Sequence, residues 1–133
     1  MSHTVKIKTQ FKQVDQLKAA FRALGWEIKE KARIRTYPGD SKANVVYDYV
    51  AVNPDKDKSY SYDVGFNEAA SEIEVFWDPF GGSIAKTLGA EMNKLKDEYA
   101  CQVIEHKYAY EGAAVFRSTT QDGTIQLEVQ FPS

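Results

Sequence analysis

The chain has 133 residues, 43% apolar and 27% charged, which suits one domain over residues 1–133 with a proper core and leaves little room for long disordered tracts. Its net charge of −2 is unevenly laid out, with +6 in residues 1–42 and −8 in residues 43–133. An isoelectric point near 5.7 speaks against tight non-specific nucleic-acid binding, one cysteine excludes an intrachain disulfide, and no apolar stretch approaches the roughly 20 residues of a membrane span.

The opening Met1-Ser2-His3-Thr4-Val5-Lys6 lacks the apolar run of a signal peptide, so the expected compartment is reducing and cytoplasmic. Residues 3–9 alternate around Val5 and Ile7, with Lys6 and Lys8 on the other face, as a half-buried strand does. Val14, Leu17, Phe21 and Leu24 then recur at helical spacing. Gly25 supplies a left-handed cap, and Trp26 is expected to be buried against the helix end. Residues 26–36 alternate again, with Trp26, Ile28, Ala32 and Ile34 on one face. Tyr37-Pro38-Gly39-Asp40 reads as a turn.

Residues 43–52 are β-branched and aromatic, hence a strand. Asn53-Pro54-Asp55 breaks it. Residues 59–66 resume it with Tyr60, Tyr62, Val64 and Phe66 on one face, and residues 71–77 place Ile73, Val75 and Trp77 together. Ser83 is an expected N-cap. Ile84, Leu88, Met92, Leu95, Tyr99, Val103, His106 and Tyr110 then form one stripe down a long helix that ends near Gly112. Residues 114–131 read as a hairpin around Asp122-Gly123, with Phe116 opposite Val129 and Arg117 opposite Glu128. The order is β-α-β-β-β-β-α-β-β. The expected fold is α+β: a single, mostly antiparallel sheet of six or seven strands with two helices on one face. Each half holds a strand, a helix closed by glycine, and a strand pair, which is a weak internal repeat.

No catalytic constellation stands out. His3 and His106 lack the local ligand spacing of a metal site, so neither a metal nor a cofactor is expected. His106 is expected to be partly buried. Cys101 lies beside the apolar stripe and reads as a small core residue rather than a reactive thiolate. Glu72 and Glu74 share a strand face and suit a solvated surface. Gly81-Gly82-Ser83 lacks the lysine and glycine spacing of a phosphate loop. A third reading is a small-molecule-binding or enzymatic domain with a cleft at Trp77-Asp78-Pro79. The chain is expected not to be an enzyme.

Charge gives the strongest pattern. Lys29, Lys31, Arg33 and Arg35 recur at period two and should share one strand face. If the first two strands are neighbours, Lys6 and Lys8 join them on the helix-free side. Tyr47 and Tyr49 alternate on the third strand, away from Val46, Val50 and Val52. Such a face suits an acidic protein partner. The alternatives are a single-stranded nucleic-acid platform or a merely solvated surface. The partner-binding set is therefore Lys6, Lys8, Lys29, Lys31, Arg33, Arg35, Tyr47 and Tyr49.

Several strings occur together: Met1-Ser2-His3 with Ile7-Lys8-Thr9, Leu24-Gly25-Trp26-Glu27, Tyr62-Asp63-Val64-Gly65-Phe66, Phe76-Trp77-x-Pro79, Asn93-Lys94-Leu95 with Tyr99-Ala100, and Asp122-Gly123-x-Ile125-x-Leu127-x-Val129. In this order they resemble a family of unknown function from cyanobacteria and red-algal plastids, the hypothetical chloroplast reading frame thirty-five, with relatives in other bacteria and in phages. The resemblance spans nearly the whole chain and departs mainly at residues 37–60, where this chain is longer. It implies a small soluble protein with no assigned activity or cofactor. Members are sometimes encoded beside AAA-type ATPases, which implies an adaptor role with such an ATPase as partner.

Overall fold

A computed structural model describes residues 5–8, 11–37, 39–55, 61–78, 82–119, 121 and 125–132. Helix α1 (Val14–Ala23) buries Leu17, Ala20 and Phe21 completely, as their spacing requires. Its end follows from Gly25, whose φ of +90° only glycine adopts freely. The Trp26 amide then donates to the Phe21 carbonyl at 2.9 Å and the Gly25 amide to that of Arg22 at 3.0 Å. This is a Schellman closure, and its apolar contact is Trp26 on Phe21, with ring centroids 5.7 Å apart. Trp26 is 2% exposed. Helix α3 (Asn93–Tyr110) closes the same way at Gly112, with Ala113 donating to Tyr108. The repeated glycine cap is thus real.

The first surprise is the sheet. Strands β1 (Val5–Lys8), β2 (Glu27–Ala32), β3 (Tyr47–Val52), β4 (Val64–Glu68) and β5 (Ile73–Trp77) form an antiparallel five-stranded sheet in the order β1-β5-β4-β3-β2. Strands β6 (Ala114–Thr119) and β7 (Ile125–Gln130) pair only with each other. The class is α+β, but the single six- or seven-stranded sheet is replaced by five strands plus two. The physical reason is that the hairpin packs on α3, where Arg117 of β6 hydrogen-bonds Glu98 and Glu105, rather than against a sheet edge.

The hairpin register also differs from expectation by one residue. Val115 lies opposite Val129, Phe116 opposite Glu128 and Arg117 opposite Leu127. With Thr119 opposite Ile125, an odd number of residues separates the paired positions, which a two-residue turn does not supply. Asp122 and Gly123, the expected turn, lie outside the described residues.

The main core lies between the helices and one sheet face. It joins Leu17 and Phe21 of α1 to Ala51, Val64, Phe66, Val75 and Trp77 of the sheet, with Ile84, Leu88, Met92, Leu95 and Tyr99 from the second helical region. That region is not one helix. Helix α2 (Ser83–Leu88) stops at Gly89, a 3-10 turn spans Ala90–Met92, and α3 begins anew at Asn93. Glu91 and Met92 both have positive φ, +53° and +61°. Such conformations cost an L residue about 1–2 kcal/mol. The deep burial of Met92 and Leu95 offsets the strain. The apolar stripe holds through Tyr99, while His106 and Tyr110 are exposed. His106 is exposed rather than partly buried, because the buried stripe of α3 ends before it and the residue faces outward among the described residues.

A second, smaller core of Ile34, Tyr47 and Val50 is flanked by Ala32, Val45, Val52 and Phe76. Val50, Val52 and Phe76 alternate with main-core residues along their strands, so this cluster lies on the opposite sheet face. The segment from Ala32 to Val45 closes over it, and Lys42 Nζ sits 5.6 Å from the Phe76 ring centroid. Lys31 is what makes this possible. Its φ is +51°, and the chain changes face there: Ile28 packs with the main core, Ala32 and Ile34 with the second. Strand β3 changes face with it, since Tyr49 packs with the main core and Tyr47 with the second. Trp26, Ile28, Ala32 and Ile34 therefore do not share one face. Period-two reasoning fails because one left-handed residue resets the alternation.

The Tyr47 ring lies directly on Gly65, where an added Cβ would sit 2.7 Å from ring carbons. Gly65→Ala should therefore destabilise the fold by about 1–3 kcal/mol, the usual range for overpacking. Tyr47→Leu on the Gly65→Ala background should recover part of that loss. Urea denaturation of the three variants measures the coupling, and simple additivity would rule the contact out.

Candidate partner-binding surface

The four cations at period two, Lys29, Lys31, Arg33 and Arg35, fall on or just after β2, an edge strand of the sheet. Lys29 is exposed, lies opposite Val50 in the ladder, and meets no ion-pair partner among the described residues. Lys31 reaches Asp48 at 3.1 Å, with side chains 75% and 37% exposed. A bridge so open to water contributes at most about 1 kcal/mol. The Asp48 carboxyl is held below its ordinary range by the Lys31 hydrogen bond and by the Glu68 amide. Arg33 is exposed and approaches the Asn44 carbonyl at 3.5 Å.

Arg35 behaves differently. Its Nε and Nη2 donate to Asp63, the closest contact being 2.7 Å, and Nη2 also donates to the Asn53 carbonyl at 3.0 Å. The Arg35 and Asn53 amides complete the shell of Asp63 at 2.8 and 2.9 Å. These hydrogen bonds push the Arg35 guanidinium above its already high range. Asp63 is 3% exposed. It accepts donors on both oxygens from the side chain and backbone of Arg35 and the amide of Asn53. Such a carboxylate serves as scaffold, its acceptor positions filled by the protein's own donors. Nearby, Asp78 is 1% exposed and accepts from the Thr36 hydroxyl at 3.3 Å.

The structure divides the expected surface. Strands β1 and β2 are opposite edges of the sheet, with three strands between them. The condition that would have joined Lys6 and Lys8 to the other cations is not met. Their backbone is placed in β1 and their side chains lie outside the described residues. The helix-free face is occupied by the second core. Tyr47 is 1% exposed inside that core. Tyr49 points to the helix side, stacked on Phe66, with Lys18 Nζ 4.0 Å from its ring centroid. Its hydroxyl donates to Glu68 at 3.0 Å, and that bond raises its pKa. The two tyrosines thus take opposite faces. What the β2 edge retains is Lys29, Lys31 and Arg33, beside a shallow groove of about 230 Å³ lined by Glu30, Lys31, Asp48, Tyr49 and Glu68.

The remaining candidates resolve simply. Cys101 is 5% exposed, and burial pushes its thiol up and away from reactivity. Ser83 is the first residue of α2 rather than its cap. Gly82 takes the cap position, and the Ser83 hydroxyl accepts from the Tyr62 amide at 3.3 Å. Among the described residues no three His, Cys, Asp or Glu side chains gather as metal ligands would. Among them, no helix is long and apolar enough to cross a membrane. His3 and Pro79 lie outside the described residues.

One family model matches residues 20–128, and its description reads protein of unknown function. The chain belongs to DUF1257. The matched span runs from within α1 into β7 and so includes the second core, the Asp63 network, the β2 cations and the main core apart from its contributions before residue 20, Phe11, Val14 and Leu17. No curated protein and no solved structure matches the chain.

Asp63→Ala should cost about 3 kcal/mol. It leaves two buried amides and one guanidinium without their acceptor, and the half-exposed Arg35 keeps the loss at the low end for a broken buried pair. A urea midpoint equal to that of the parent would refute the scaffold role.

Tyr47 gives a pH signature. Burial, with a contribution from Asp40, raises its pKa from 10.0 to about 12. The unfolded chain therefore releases this proton first, and stability present below pH 10 is lost as pH rises toward 12. The Tyr47 hydroxyl is buried without a hydrogen-bond partner among the described residues. Tyr47→Phe should match or exceed the parent in stability at pH 7, since an unsatisfied buried hydroxyl costs about 1–3 kcal/mol. It should also flatten the alkaline decline, as measured by thermal melts between pH 9 and 12.

Proposed function

We propose that this DUF1257 member is a non-enzymatic adaptor or regulatory protein that binds an acidic protein partner through the cations of the β2 edge. The observation that carries the reading is local: Lys29 and Lys31 on the exposed edge strand β2 and Arg33 just after it lie within five residues, and among the described residues none is neutralised by a buried carboxylate. Arg35, the fourth cation of the series, is held by Asp63 and is excluded from the surface. Two observations support a non-enzymatic role. The hydrogen-bonded carboxylate of Asp63 is filled by protein donors, and Cys101, the one thiol, is buried.

The finer likeness to the hypothetical chloroplast reading frame thirty-five belongs to this reading. So does the association of that family with AAA-type ATPases, which supplies a partner class to test first. A cytoplasmic location goes with the same reading. Nucleic-acid binding through a basic sheet face draws less support, because that face carries the second core and the six cations sit on opposite edges.

The test replaces Lys29, Lys31 and Arg33 by Gln and leaves Arg35 in place so that the fold is kept. Partner recovery from native-host extract should fall by at least an order of magnitude, and parent binding should weaken with salt, mainly through slower association. A folded triple variant that recovers the same partners in the same yield would leave the β2 cations as a solvated surface.

A further inference from the structure

The β6–β7 hairpin presents an interface that the β2 surface does not use. Arg117 on β6 hydrogen-bonds Glu98 and Glu105 of α3, so the face that also carries Val115, Ile125, Leu127 and Val129 is turned to the helix. Yet those four aliphatic residues are only half-buried. Helix α3 alone does not cover them. Around the same module Tyr110, Phe116 and Phe131 are 90%, 53% and 59% exposed. Among the described residues neither hairpin edge pairs with a further strand. A two-stranded ribbon by itself is marginal in water.

The two edges are not equivalent. Strand β6 carries Arg117 at its centre, so pairing β6 with its own copy brings two guanidinium groups together. Strand β7, Ile125-Gln126-Leu127-Glu128-Val129-Gln130, has no Lys, no Pro and one charge. It lacks the devices that protect an edge, whereas β2 carries Glu27, Lys29, Glu30 and Lys31 and a left-handed break.

We propose that β7 is a dimerisation strand whose occupant is the β7 of a second copy. A two-fold axis normal to the sheet pairs identical antiparallel strands only about a residue that faces itself. Centring on Glu128 would oppose two carboxylates. Centring on Leu127 puts Ile125 opposite Val129 of the other copy and Gln126 opposite its Glu128, so each carboxylate meets an amide donor. The resulting order is β6-β7-β7-β6, with both α3 helices on one face. Hairpin centres then lie two strand spacings apart, roughly 9.6 Å, which matches the roughly 8–10 Å at which helices pack. The second helix supplies the cover that the half-buried aliphatic residues lack.

Gln126 and Glu128 are exposed, so their charge can be changed without touching the core. The experiment is sedimentation equilibrium of the whole chain as parent, Gln126→Lys and Gln126→Glu, with circular dichroism as a control for folding. In the Gln126→Lys variant an ammonium group would face Glu128 of the other copy twice per dimer, and the dissociation constant should fall by roughly two- to thirty-fold. Gln126→Glu should shift the equilibrium the other way by a similar factor. Both shifts should shrink as salt is raised. A parent chain that stays monomeric, or a dimer indifferent to the charge at position 126, overturns the proposal.

Discussion

The bond between Arg35 and Asp63 decides what the sheet can be. After Lys31 the chain leaves the helix side and must return across the far face before it re-enters at Tyr47. Asp63 holds that crossing segment by its backbone and its side chain at once, since Arg35 gives it both an amide and a guanidinium. The Asp63 amide answers by donating to the Arg35 carbonyl at 2.9 Å. The neighbouring Asn53 donates to the same carboxylate and, through its side chain, to the Tyr62 carbonyl. One buried anion thereby joins the end of β3, the start of β4 and the segment after β2. Without it the segment that carries Ile34 over Val50 loses the hydrogen bonds that tie Arg35 to the start of β4.

This explains why a charged residue sits inside the apolar run Tyr62–Phe66. A buried carboxylate is tolerable when every lone pair meets a donor, and the donors here are mostly backbone groups that would otherwise need partners of their own. The same economy appears at Asp48, which accepts from the Glu68 amide while Asn67 accepts from the Asp48 amide at 2.8 Å. Side chains stand in for ladder bonds where β3 changes face.

Much of this was legible in the sequence, and the failures have a common cause. The helix caps at Gly25 and Gly112, the burial of Trp26 and the existence of the last hairpin follow from local chemistry, and local chemistry does not depend on what is far away. The face of Lys29 relative to Arg35 does depend on it. Nothing in Glu27–Ala32 announces that Lys31 adopts a positive φ, because the reason lies in Asp48 and in the second core. Strand neighbourhood failed likewise: β1 and β2 are adjacent in the chain around α1, yet the strands β3, β4 and β5 come between them. Asp63 was the one available signal, a carboxylate flanked by Tyr62 and Val64 with an arginine in the preceding basic run. The break at Gly89 was hidden because the apolar stripe continues in phase through it.

A sheet buried on both faces by covers of unequal size should not open as one piece. The main core joins three helices to four strands, whereas the far-side cover is one segment resting on a few aliphatic and aromatic side chains. Loss of that cover exposes little surface and leaves the helix side intact, so its free energy of opening is a fraction of the global value. Backbone amides of the Ala32–Val45 segment should exchange with solvent through this small fluctuation. Those of β4, hydrogen-bonded on both sides by β3 and β5, should wait for the whole domain to unfold.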